Sequence, residues 1–249
     1  MTADETAADE VVADEVVADE AEPVGWAPGM WLLSDVSPAA WVSAALTEVG
    51  FRATVAAMVP PVFEAYARVF PPTYPDQRPE PRHRWSAIAA HRGVPLTAET
   101  RFDDLVAGSR GWGRPGDGGL DARETEALAR VLSRFTDTPG QAYFCMWEGF
   151  GLPETRAWED RPARVRAPNR AYHLLTGPVS AAPVLPAPVE WRCASLWWPR
   201  DRAWLVATEI DGYLTYVGAS RAAIDALAAD PALDVAPARP TTPLDPSYG

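Results

Sequence analysis

Three side chains sit where a folded chain could use them for proton transfer: Glu148, His173 and Glu209. Glu148 follows the apolar run Tyr143-Phe144-Cys145-Met146-Trp147, with its side chain on the face of Phe144 and Met146, and precedes Gly149-Phe150-Gly151. A carboxyl desolvated against aromatic rings has a raised pKa and can serve as a general acid or base. The plainer reading of the same residue is an acid at a strand end that accepts backbone hydrogen bonds. Glu209 allows the same two readings, and an arginine partner such as Arg192 or Arg202 would account for it without catalysis. His173, between Tyr172 and Leu174, is either a proton shuttle beside Glu148 or a hydrogen-bonded, half-buried histidine, and no serine or cysteine motif accompanies it.

Other chemistry is excluded or unsupported. All 22 basic residues are arginine, so neither a Walker-type phosphate loop nor a lysine-based mechanism is available. His83 and His91 fall in a loop and at a helix end, which argues against a metal site, and no cofactor is expected. Cys145 and Cys193 lie in apolar, strand-like segments, the usual setting of an inert buried thiol.

The candidates for binding are aromatic. Trp197-Trp198 beside Trp204 would ordinarily be core, but Trp198 and Pro199 at a turn would leave ring surface open as a platform for a partner. Trp147, Tyr172, Trp197, Trp198 and Arg202 form the expected ligand-binding set. The segment from 156 to 170 carries five arginines and reads as a solvated loop, with phosphate binding or docking of the acidic N-terminus as alternatives.

These residues depend on a framework that the sequence partly dictates. Trp204 to Ile210 and Tyr213 to Val217 flank Asp211-Gly212, a tight-turn dipeptide, and a two-residue loop pairs Thr208 with Thr215 and Val206 with Val217. Both faces of this hairpin are apolar, which predicts a sheet covered on both sides. Trp191 to Trp198 supplies a third antiparallel strand, with Pro199 suited to the second position of the next turn. Further strands are expected over 143–147 and 170–175. Helices are expected after Ser37-Pro38, closing at Gly50; over Pro61 to Phe70; over Trp85 to Arg92, ended by Gly93; after the capping-box pattern Asp121-Ala122-Arg123-Glu124; and after Ser220, stopped by Asp230-Pro231.

The formal charge of −12 is a property of one end. Residues 1–22 hold nine acids and no base, in a five-residue repeat of Ala-Asp-Glu that matches neither helical nor strand periodicity. The remainder carries 25 acids against 22 arginines, so nucleic acid is not an expected partner. No run of eighteen apolar residues exists and the N-terminus is acidic, which predicts a soluble, cytoplasmic protein that does not enter a membrane.

The domain reading is an acidic, disordered tail over 1–25, a single domain over 26–236, and a Pro-rich C-terminal tail over 237–249. The fold class is α+β, with an antiparallel sheet from the C-terminal half packed by helices mainly from the N-terminal half.

Pro61 to Phe70, Trp147 to Gly151, Tyr172 to Pro178 and Leu196 to Trp204 together resemble segments of a group of uncharacterised actinobacterial proteins. The resemblance spans most of the domain and implies only a cytoplasmic protein from a GC-rich genome. The leading functional expectation is a non-catalytic binding or accessory protein that engages a partner protein through an aromatic-rich surface. The alternative is a hydrolase-like enzyme using Glu148 and His173 as an acid/base pair, and the residues leave open whether any reaction is catalysed.

Overall fold

The structure is a computed structural model that describes residues 21–75, 81–109, 111–115, 119–151, 153–161, 163–185 and 193–244. The acidic repeat over 1–20, together with Trp191 and Arg192, lies outside the described residues.

In chain order the first strands and helices are β1 (Ala21–Pro23), β2 (Trp31–Leu33), α1 (Ala40–Val49), β3 (Ala65–Val69), β4 (Tyr74–Pro75), α2 (Trp85–Arg92), α3 (Phe102–Val106) and β5 (Trp112–Gly113). Then follow α4 (Ala122–Leu132), β6 (Ala142–Trp147), β7 (Val165–Ala167), β8 (Arg170–Gly177), β9 (Leu196–Pro199), β10 (Leu205–Thr208), β11 (Thr215–Ala219), α5 (Arg221–Ala229) and β12 (Val235–Ala238). Ten strands form one antiparallel sheet in the order β1-β2-β8-β6-β9-β10-β11-β3-β12, with β7 also paired to β8. The α+β class holds, but the two halves of the chain are mixed. Residues before 70 supply β1, β2 and β3, while α5 comes from the C-terminal end.

The β10–β11 hairpin has the register its turn dictates, with Val206 opposite Val217, Ala207 opposite Tyr216 and Thr208 opposite Thr215. β9 pairs with β10 and completes the meander. Its two faces enter separate cores. Trp204, Val206 and Val217 pack with Leu128 and Leu132 of α4 and with Ile224 and Leu227 of α5. Leu205, Ala207, Leu214 and Tyr216 pack with Val42 and Leu46 of α1. A third cluster, built on Phe70, Trp85, Phe102 and Tyr213, closes the end beneath α2 and α3.

Pro61 to Phe70 is not a helix. Phe63, Tyr66 and Phe70 imitate a helical stripe, but the chain alternates instead. As β3 sits between β11 and β12, Ala65, Ala67 and Val69 face the α4–α5 core and Tyr66 faces α1. Arg68 of the same strand is 1% exposed, and its guanidinium lies 4.5 Å from the Phe70 ring and donates to the carbonyls of Ala98 and Thr100. Stacking on a ring and donating to carbonyls are what help make a buried guanidinium tolerable.

Two expected caps are used differently. Asp35, not Ser37, holds the first turn before α1, accepting from the Ser37 amide at 2.8 Å and its hydroxyl at 2.6 Å. Asp121 stands at the N-cap of α4, but its carboxylate makes no cap bond and goes to Tyr74 and Arg82. Ser220 does cap α5, its Oγ accepting from the Ala223 amide at 3.2 Å. Ser220→Ala should cost about 1 kcal/mol in a denaturant titration, and an unchanged midpoint would remove the cap from the account.

The tail boundaries also shift. β1 carries residues 21–23 into the sheet, and β12 begins before residue 237. The Val55 amide donates to the Thr242 carbonyl and the Leu244 amide to Ala53, so residues up to 244 belong to the α1 layer.

Candidate functional site

α1 closes at Gly50, whose φ of 64° turns the chain back across the sheet. The following segment is pinned at the Val55 and Ala56 amides by the Thr242 and Pro240 carbonyls. This layer covers β8, β9 and β10 incompletely, because the sheet beneath presents short side chains such as Ala207. A cleft of about 350 Å³ remains, walled by Leu46 and Met58 on one side and by Tyr172, Leu196 and Ala207 on the other.

Its polar groups converge from three strands. Arg170 at the start of β8 bonds Glu209 at 2.6 Å and reaches Asp211 at 3.4 Å. Glu209 Oε1 also accepts from the Ile210 amide at 2.9 Å. Tyr172 is 6% exposed, and burial pushes its phenol well above the ordinary tyrosine range, so it lines the cleft as a neutral group. Thr208 is satisfied by Thr215 at 3.0 Å and receives Cys193 Sγ at 3.4 Å. Ser195, the residue before β9, borders the cleft through its backbone, and its buried hydroxyl shares the Trp197 face instead. The adjacent Phe51 side chain is 73% exposed.

The expected site residues do not converge. Glu209 and Tyr172 reach the cleft, and the partner of Glu209 is Arg170 rather than Arg202. Glu148 does not continue the face of Phe144 and Met146, because β6 ends at Trp147 and the chain turns into a short 3₁₀ segment. Its carboxylate accepts from Arg164 Nε at 3.0 Å. His173 lies opposite Met146, on the side facing α4 and α5 rather than α1, with the Trp158 ring 5.3 Å away. It is 3% exposed, and burial, reinforced by the nearby Arg164 charge against a smaller opposing effect of Glu148, lowers its pKa to about 4. No hydrogen bond or ion pair among the described residues joins Glu148 to His173.

The tryptophan platform is sealed. Trp197 is 1% exposed and Trp198 is fully buried. β9 is flanked by β6 and β10, so each ring meets a covered face. Trp197 stacks on Phe144 at 6.0 Å toward the α4 side, and Trp198 meets Trp41 edge-on at 5.9 Å toward α1. Pro199 is the first residue of its turn, accepting from the Arg202 amide, and not the second. Arg202 is exposed and lies 5.4 Å over the Trp41 ring, while Trp147 is half-buried against Phe150. Of the five arginines over 156–170, Arg161 pairs with Glu22, Arg164 with Glu148 and Arg170 with Glu209.

Arg170 is a residue of the cleft that the sequence leaves unmarked. Only the sheet order brings Arg170 alongside Glu209. Both cysteines are buried free thiols whose pKa burial raises, so neither is poised as a nucleophile. Among the described residues no group of three or more His, Cys, Asp or Glu is placed to hold a metal ion, and no helix is long and apolar enough to cross a membrane. No family model matches this chain, and neither a curated protein nor a solved structure matches it.

Proposed function

We propose that this is a non-catalytic binding protein and that the cleft between α1 and strands β8 to β10 is where it holds its ligand. The observation that carries this reading is the Tyr172 hydroxyl, which no hydrogen bond among the described residues engages, on the wall of an otherwise largely apolar cleft. A hydroxyl in a largely buried setting gains a hydrogen bond when a ligand's polar group meets it. A volume of about 350 Å³ with a few convergent polar groups is typical of a small-molecule site. Arg170 is already neutralised by Glu209 and Asp211, and Arg52, the other cation lining the cleft, is solvent-exposed, which favours an uncharged ligand with an apolar body and one hydrogen-bonding head. A partner protein, the expectation drawn from the aromatic turns, would now have to engage Phe51 beside the cleft rather than the buried indoles.

The hydrolase reading has less support, since Glu148 is held by Arg164 and His173 is both buried and neutral. Phenol and toluene serve as probes, because they differ only in the head group. Saturation-transfer NMR on the full chain should show phenol binding more tightly than toluene, and Tyr172→Phe, which removes only the hydroxyl, should abolish that preference. Ala167→Trp, at a half-exposed position lining the cleft, should block both probes while leaving the thermal midpoint within a few degrees. Equal binding of phenol to this folded variant would refute the assignment.

A further inference from the structure

A second pocket of about 270 Å³ shares no residue with the cleft and lies where the first turn of α4 meets the segment after β3. Glu124, displaced from any capping role, is 6% exposed there, and its Oε1 bonds Arg82. Asp121 braces the same guanidinium and accepts from the Tyr74 hydroxyl. Glu124 Oε2 is buried and has no hydrogen-bond partner. Burial pushes the Glu124 carboxyl up against the opposing pull of Arg82, as expected for an acid with half of its acceptor capacity unused.

The remaining charges around the pocket fall into two kinds. Asp234, 9% exposed, accepts from the Ser86 amide and adds a second acid to the lining. Arg84 donates to the carbonyls of Pro231 and Leu233, neutral partners that leave its charge uncompensated. Arg123 is exposed and makes no hydrogen bond or ion pair among the described residues. A simple anion would meet the unpaired Glu124 oxygen, and a simple cation would meet three guanidinium groups. A ligand carrying both charges avoids both penalties.

We propose that this pocket binds a compact zwitterion of the free amino acid class, with its ammonium on Glu124 Oε2 and Asp234 and its carboxylate on Arg123 and Arg84. The inference is independent of the cleft, and failure of either leaves the other standing.

The full chain is titrated calorimetrically with L-alanine, L-leucine, L-arginine and L-glutamate, and with ethylamine and propionate as single-charge halves. At least one amino acid should bind, with neither half reaching one tenth of its affinity. Arg123→Ala, an exposed substitution that leaves the fold intact, should weaken that binding about tenfold or more. Glu124→Gln should abolish it, and Asp234→Asn substitutes as the test if Glu124→Gln does not fold. Binding by none of the four amino acids, equal binding by ethylamine or propionate, or an unchanged affinity in Arg123→Ala would each overturn the proposal.

Discussion

Trp198→Ala is expected to lose about 3–5 kcal/mol of stability, a large share of the roughly 5–15 kcal/mol that holds a domain of this kind together. The ring is fully buried between Trp41 and Tyr143, both at 5.9 Å, and belongs to the core beneath α1. Its removal leaves a cavity that α1 cannot close without losing its own contacts, so the cavity adds to the lost transfer free energy. Urea titration of the wild type and the variant measures the difference directly. A loss under about 1 kcal/mol would mean that the indole is solvent-facing, as the turn at Pro199 suggests from sequence alone.

Acidification should destabilise the protein through His173. The folded chain keeps this imidazole neutral down to a pKa of about 4, against an ordinary value of 6.5. Its contribution is therefore complete above pH 6.5, declines as the pH falls because the unfolded chain takes up the proton first, and is gone below about pH 4. The full difference is about 3 kcal/mol. Other groups titrate in or near this range: Asp35 and Asp230 have lowered pKa values and act in the same direction, while Glu124 is raised and opposes them. The comparison with His173→Gln isolates the histidine, because the other groups are retained. The wild-type stability profile between pH 6.5 and 4 should be steeper than that of the variant. Parallel profiles would show that His173 is solvated and free to protonate, which would also revive it as a proton carrier beside Glu148.

The elements most legible in the sequence were those whose local chemistry agrees with their tertiary setting. Asp211-Gly212 set the hairpin register, Gly93 in the left-handed region ended α2, and Ser220 capped α5. β3 was misread because prolines bracket a short strand as readily as a helix, and its aromatic spacing happened to fit a helical face. β1 and β2 are three residues each and leave almost no periodic signal. The capping-box pattern at Asp121 correctly started α4, yet tertiary partners, Tyr74 and Arg82, took both of its acids.

The site was less legible than the fold. Alternation assigned Trp197 and Trp198 to opposite faces, but not the fact that β9 is a central strand, and centrality is what buries them. Arg170 meets Glu209 because β8 and the end of β10 approach one side of the cleft, a consequence of the sheet order rather than of sequence spacing.

The cleft is the centre of the functional account, and crystals soaked in phenol test it most directly. The ring is predicted to lie between Leu46, Met58 and Ala207, with its hydroxyl about 3 Å from the Tyr172 hydroxyl. Phenol bound elsewhere while the cleft stays empty, or α1 packed down so that no cleft exists, would contradict it.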